Sequence, residues 1–344
     1  MKGLLKKHKT TLLYTHIVPI FAAGLLLSVN TLANEPQVEK KKTYSKSYTV
    51  SGNDRISLYN QFGEMKISTW DKSEVKADIT ITAEAGTEEK AQMILDRISI
   101  EDGKKDDGVY FKTKMTKENQ RWEKGEKQGF HIDYVVYVPA RNPLTARNEF
   151  GPMILGDFNG EASLESKFGS LTSGKLTNVK KVQVEFGKAD IKSISNGDVV
   201  VKFSKAGIDN LDGSVHAVFE YCDVAKLHVD NDTKELNVKN SYSHLYLDVN
   251  TNINASFDIS TNFGNLNNKT NFDIKEEGKD DDRHGPHFNK RYTGKSGNGN
   301  IAMKIKSDYG DVTLGHNINI DVNKNDGKDK DKDKEKDKKR TVKI

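Results

Sequence analysis

Two histidines, His284 and His287, stand beside the acidic run 280–282 and form the one cluster with a metal-ligating flavour. Two imidazoles at i, i+3 in a polar stretch do not supply the three or four fixed donors of a zinc centre, so they read as part of a solvated charged loop. Gly294-Lys295-Ser296 has the end of a phosphate loop, but Asn289 occupies the position of its first glycine and Gly297-Asn298-Gly299 follows in place of a helix. Asp321, Asn323 and Asn325 imitate the start of a calcium loop, yet Asp326 stands where glycine is needed and Lys332 where the closing glutamate should be. No Gly-x-Ser-x-Gly nucleophile elbow occurs. These residues assign no catalytic, cofactor-binding or metal position. What remains is a set of polar side chains interleaved with apolar ones: Lys188, Asp190, Lys192, Lys205, Lys226, His228, His244 and Tyr246. Lys192, His228 and Tyr246 carry the heads best suited to polar or glycan contacts.

The elements that position them come from a repeat. An aromatic followed by a small residue recurs at Phe150-Gly151, Phe168-Gly169, Phe186-Gly187, Phe203-Ser204, Tyr221-Cys222, Tyr242-Ser243 and Phe263-Gly264, spaced 18, 18, 17, 18, 21 and 21 residues apart. Outlying copies are Phe62-Gly63 and Tyr309-Gly310. An apolar residue follows each aromatic by three positions (Leu171, Ala189, Ala206 among them), and a second apolar column follows by eight (Phe158, Leu176, Ile194, Leu211, Val229). A turn column comes next, with Asn196-Gly197 and Asp212-Gly213 as its clearest members. Such self-similarity marks a repeat architecture. Eighteen residues reach about 60 Å when extended, room for two or three short strands, whereas a strand–helix–strand crossover needs about 30 residues. Alternation in Val182, Val184 and Phe186 is that of a strand.

The favoured fold class is therefore all-β: a parallel β-solenoid of about 18–21 residues per turn, with an N-terminal β-rich or α+β capping region that contains one helix. Like residues would stack, so Phe150, Phe168, Phe186 and Phe203 are expected to form an internal ladder, with Phe186 fully buried between Phe168 and Phe203. The Gly after each aromatic would allow a tight bend or a close backbone approach, and the turn column would supply the positive φ of the corners. An antiparallel meander with accidental periodicity is the competing reading.

Residues 1–33 read as a cleaved signal peptide: Lys2, Lys6, Lys7 and Lys9, then an apolar stretch of about 13 residues interrupted by Pro19, then a small-residue site at Thr31-Leu32-Ala33. That stretch falls short of the ~20 residues of a membrane span. Residues 34–46 form a charged leader, 47–140 the cap, 141–320 the solenoid with a polar insertion at 275–290, and 321–344 a Lys/Asp-rich tail expected to be disordered. In the cap, Ala91, Ile94, Leu95 and Ile98 share a helical face behind Thr87 as N-cap. Removing the signal and residues 325–344 leaves 41 basic and 44 acidic residues. A balance that near neutral argues against nucleic acid as a partner. Cys222, the only cysteine, occupies a small-residue slot and reads as a packing residue.

The segment Asn-Gln-Phe-Gly-Glu-Met-Lys-Ile at 60–67 with Trp70-Asp71-Lys72, the strand at 75–83 followed by a Glu-rich helix, Val-Pro-Ala at 138–140, and the closing Gly297-Asn298-Gly299 with Ser307-Asp308-Tyr309-Gly310-Asp311-Val312 together resemble one family. It is the bacterial putative-adhesin family of β-strand-repeat domains, related to autotransporter adhesin heads. The resemblance spans about residues 44–316. It implies an exported, non-enzymatic β-solenoid of the cell envelope, in the periplasm or on the surface. Its partner would be an envelope or extracellular glycan or protein, and it would have no cofactor and no membrane span once the signal is cleaved. Two alternatives stay open: a polysaccharide-acting β-helix enzyme, by fold analogy, and a self-associating envelope scaffold.

Overall fold

Alternating buried and exposed residues run through almost every strand of the chain, and that alternation builds one continuous sheet. The computed structural model describes residues 38–105, 107–116, 128–278 and 288–322. In chain order the elements are β1 (Val38–Thr49), β2 (Arg55–Gln61), β3 (Met65–Trp70), β4 (Glu74–Ala85), α1 (Glu88–Asp96), β5 (Ile98–Lys105), β6 (Gly108–Met115) and β7 (Gly129–Pro139). Next come β8 (Leu144–Glu149), β9 (Met153–Leu155), β10 (Phe158–Lys167), β11 (Ser170–Glu185), β12 (Lys188–Lys202), β13 (Lys205–Glu220) and β14 (Ala225–Ser241). The chain closes with β15 (Leu245–Val249), β16 (Ala255–Asn262), β17 (Leu266–Asn268), β18 (Ile274–Glu276), β19 (Asn289–Ser296), β20 (Ile301–Asp308) and β21 (Val312–Gly315). The signal peptide, His284 and His287 with the acidic run beside them, and all but two residues of the tail lie outside the described residues.

Copies of the repeat pair in parallel and in the register that the period predicts. Leu171 lies against Ala189 and Ala189 against Ala206; Val184 lies against Val201 and Val201 against Phe219. The long strands β11, β12 and β13 serve two hydrogen-bonded tracks, with a register irregularity between their halves. The two apolar columns are the core: Leu171, Ala189 and Ala206 on one side, Phe158, Leu176, Ile194, Leu211 and Val229 on the other, all buried. The antiparallel-meander reading does not describe this region.

Sequence order fails at the C-terminal end. Strand β20 pairs with both β14 and β16, and β21 with both β15 and β17. The Tyr309 copy is thus inserted between the Tyr242 and Phe263 copies instead of following them. Strand β19 then runs antiparallel along β16, with β18 antiparallel to β19.

The other end is also closed by antiparallel strands. Strands β3 and β2 still pair in parallel with β7 and β6, and antiparallel pairs follow: β7 with β4, β4 with β1, and β6 with β5. Helix α1 buries Ala91, Ile94 and Leu95 as its sequence predicts, and the Thr87 hydroxyl accepts the Lys90 N–H as N-cap. The charged leader differs from expectation, because residues 38–46 belong to strand β1. A Lys-rich edge strand is a normal way to finish a sheet without inviting further pairing. Tyr44 and Tyr48 pin it by donating their hydroxyls to the two carboxylate oxygens of Asp102 on β5. The Tyr48 hydroxyl is consequently pushed up to about 12, by that hydrogen bond and by burial.

Candidate functional site

The aromatic of every copy takes a left-handed backbone conformation. All nine copies, from Phe62 to Tyr309, have φ between 49° and 64°. A bulky side chain there is unusual, and each such residue costs on the order of 1 kcal/mol or more. The conformation is held by the neighbouring copy: the N–H groups of Phe168, Phe186 and Phe203 donate to Glu185, Lys202 and Glu220 carbonyls at 3.0, 3.1 and 2.9 Å.

This conformation corrects the expected internal ladder. Period-two alternation puts Phe186 in phase with the buried Val182 and Val184, but the positive φ breaks the pleat and turns the ring outward. Phe186 is 47% exposed, and the rings from Phe150 onward are between 45% and 50% exposed. The stacking partners are the expected ones. Phe186 lies between Phe168 and Phe203 at centroid distances of 4.9 Å on each side, with interplanar angles of 5° and 3°. The ladder runs Phe62, Phe150, Phe168, Phe186, Phe203, Tyr221, Tyr242, Tyr309 and Phe263, and Phe288 extends it. At the strand spacing this is an external stripe roughly 40 Å long.

The following small residue is required for close approach, as the sequence predicts. A Cβ on Gly187 would sit 1.7 Å from the Gly169 oxygen, and one on Gly169 2.0 Å from the Gly151 oxygen. Where Ser or Cys replaces Gly, the side chain is absorbed: the Ser204 hydroxyl accepts the Gly187 N–H and donates to the Lys202 carbonyl. Cys222 is buried, and burial pushes its thiol up to about 11. It is a packing residue. Positive φ in the turn column is confined to Asn196, Gly197 and Gly213.

Beside the ladder runs a charge column: Glu149, Lys167, Glu185, Lys202 and Glu220, each one residue before an aromatic. Alternation makes it self-compensating, with Lys167–Glu185 at 3.3 Å and Lys202–Glu220 at 2.8 Å. Half-buried surface pairs of this kind contribute modest stability, and they compensate the charge beside the stripe.

The polar residues singled out from the sequence divide differently. None is buried. Register brings Lys188 beside Lys205, Lys226 beside Tyr246, and His228 beside Asp248. His228 Nδ1 lies 3.3 Å from Asp248 Oδ2. Residues 316–322 lie against this side of the fold: His316 Nδ1 is 2.7 Å from the Val249 carbonyl, the Ile318 N–H donates to Asp248 Oδ1 at 3.1 Å, and Val322 lies near Gly207. Gly207 shares a register row with Asp190 and Lys226, so that row is partly roofed by the chain itself. Lys192 and His244 are exposed elsewhere. Among the described residues no group of three or more His, Cys, Asp or Glu side chains is arranged to hold a metal, and no helix is long and apolar enough to cross a membrane.

No protein-family model and no curated protein matches the chain. Among solved structures it is similar to a "putative cell adhesion protein" from Clostridium sporogenes, at 10% identity and a TM-score of 0.23 over 80% of this chain and 100% of that one. It is also similar to a "putative adhesin" from Bacteroides fragilis, at 12% identity and a TM-score of 0.31 over 79% and 97%. A "putative adhesin" from Parabacteroides merdae aligns at 12% identity and a TM-score of 0.25 over 79% and 96%. At these scores no residue correspondence carries over.

Proposed function

We propose that the stacked copies wind as a parallel β-solenoid and that this exported protein is a non-enzymatic binding or adhesion module of the cell envelope. The external aromatic ladder would be its recognition surface, in place of the polar face expected from sequence. The observation that carries this reading is the ladder itself: nine copies of a strained, bulky corner, the eight from Phe150 onward each with about half of the residue in solvent. Glycine would make the same corner without strain. A long exposed apolar stripe is characteristic of an interaction surface.

Ring faces are consumed by neighbouring rings, so the stripe offers edges. Edges carry the positive end of the aromatic quadrupole and suit an extended, oxygen-rich chain lying along the ladder, a glycan strand or an extended peptide. The tight copies between Phe150 and Tyr221 leave no long loops to wall a cleft, which favours binding over polysaccharide cleavage. Antiparallel strands at both ends disfavour open-ended self-stacking. Export rests on the signal-like residues 1–33.

The test is a screen of envelope glycans and envelope extract with protein lacking residues 1–33. The comparison variant is the triple Phe168→Asn, Phe186→Asn and Phe203→Asn, since Asn tolerates the left-handed conformation. Ligand capture by the parent and its loss in a variant that still unfolds cooperatively is the expected result. Equal capture by both proteins removes the ladder as the site, and reproducible depolymerisation of any envelope polysaccharide removes the non-enzymatic assignment.

A further inference from the structure

Insertion of β20 and β21 out of chain order changes the chemistry of the ladder. In chain order Phe263 would separate Tyr242 from Tyr309, but in space the Tyr309 copy comes first, so Tyr221, Tyr242 and Tyr309 are consecutive rungs. Their ring centroids are 4.9 and 4.8 Å apart and their planes agree within 2°. All three residues are about half exposed. Parallel rings carry their hydroxyls at the rung spacing, and among the described residues none of these three hydroxyls has a hydrogen-bond partner. The rungs at Phe62, Phe150, Phe168, Phe186 and Phe203 have no polar atom in the side chain.

The side chains that border the tyrosine rungs are polar on both sides. One residue before the aromatics, register sets Glu220, Ser241 and Asp308 in one row. Two residues after them stand Asp223, His244 and Asp311, all exposed. Lys202 pairs with Glu220 at 2.8 Å and Lys306 lies 3.6 Å from Asp308, so the border is mixed and no single sign of charge dominates it. Carboxylates accept hydrogen bonds, while phenol and serine hydroxyls both donate and accept. A ligand that is itself rich in hydroxyls matches this mixture on every side.

We propose that the tyrosine rungs select a β-1,4-linked glycan chain lying along the ladder with one sugar per rung. The proposal rests on the ladder as the recognition surface and narrows what that surface takes. The repeat decides between ligands. An equatorially linked pyranose chain is a straight ribbon that advances by close to one rung per sugar. Same-side groups of an extended peptide recur at about 6.8 Å and fall out of phase within two rungs. An α-1,4-linked chain curls away from a straight stripe. Each sugar along the row meets one phenol hydroxyl, and a site built to hydrogen-bond hydroxyls discriminates through them.

Titration calorimetry on the full chain tests it, with cellohexaose and chitohexaose set against maltohexaose, which differs from cellohexaose only in its linkage. Saturable binding of a β-linked hexasaccharide is expected, at least tenfold tighter than that of maltohexaose. The triple variant Tyr221→Phe, Tyr242→Phe and Tyr309→Phe should bind it at least tenfold more weakly. Its unfolding midpoint should be unchanged, because Phe already fills this column in other copies and the stack is kept. Binding of neither β-linked hexasaccharide, equal binding of maltohexaose, or affinity indifferent to loss of the three hydroxyls overturns the proposal. The ladder reading is tested apart from it. Envelope capture that is lost in the Phe168→Asn, Phe186→Asn, Phe203→Asn variant but kept in full by the tyrosine variant leaves the ladder as the site and removes only the glycan selection.

Discussion

The cap and the regular copies use the same corner and finish it differently. At Phe186 the neighbours on both sides are copies of the corner, the strands are parallel, and the rings stack within 5°. At Phe62 one neighbour is Phe150, stacked at 4.9 Å, and the other is Phe130, met at 67°. Even so, Phe62 keeps its positive φ of 64°, and a Cβ on Gly63 would sit 2.1 Å from the Ile132 oxygen. The corner therefore needs a close backbone neighbour and does not need that neighbour to be a copy of itself. What changes in the cap comes one strand further out. The strands on either side of Phe62 still pair in parallel, β2 with β6 and β3 with β7, and the antiparallel pairs β5–β6 and β4–β7 then stop the stack.

The sharpest way to break this comparison is to test the close approach itself. Gly187→Ala should destabilise by about 3 kcal/mol or more, because its Cβ would fall 1.7 Å from the Gly169 oxygen. Gly52→Ala in the cap, with nothing within 4 Å of the added carbon, should stay within about 0.5 kcal/mol. Urea denaturation of the pair reads both.

Core and ladder rings should separate next. Phe219 and Phe111 are fully buried, in the copies and in the cap respectively, and truncation of either to Ala should cost about 3–5 kcal/mol. Phe186→Ala should cost only about 2 kcal/mol, from half a ring of burial and two stacking contacts. Phe186→Gly should be no worse than Phe186→Ala, the reverse of the usual order within a strand, because glycine relieves the positive φ. A Gly variant clearly less stable than the Ala variant contradicts the strained corner.

Smaller effects belong to the cap alone. Thr87→Ala should cost about 1 kcal/mol through loss of the helix N-cap. Asp54 is held down at about 2 by hydrogen bonds from the Ser51 hydroxyl and N–H and by Lys104. A depressed carboxylate contributes stability above its ordinary value and loses that contribution as pH falls through its folded value. Asp54→Asn should therefore flatten the stability profile between pH values of about 4 and about 2 and leave the profile at higher pH parallel to the parent's.

Parallel stacking, both core columns, the close glycine approach and the Thr87 cap were legible because each follows from a period or a local pattern. The side on which the ladder lies was not. Alternation assigns Phe186 to the inside, and only a positive φ, which no side-chain pattern reports, reverses it. One signal was present: Tyr221, Tyr242 and Tyr309 share the column, and buried hydroxyls at all three would each need a partner. Insertion of the Tyr309 copy ahead of the Phe263 copy was hidden because the repeat fixes which residues can pair and leaves open which copies do. The leader concealed β1 because an edge strand needs only one packed face, supplied there by Tyr44 and Tyr48. The polar row around Lys226 and His228 was legible as outward-facing, but the segment 316–322 that lies against it carries no repeat signature.

Hydroxyl-radical footprinting of the folded protein, resolved residue by residue, tests the central claim most directly. An external ladder predicts fast labelling of Phe168, Phe186, Phe203 and Tyr221, with Phe111, Tyr134 and Phe219 protected until the protein unfolds. Ladder rings protected to the same degree as Tyr134 and Phe219 would contradict it.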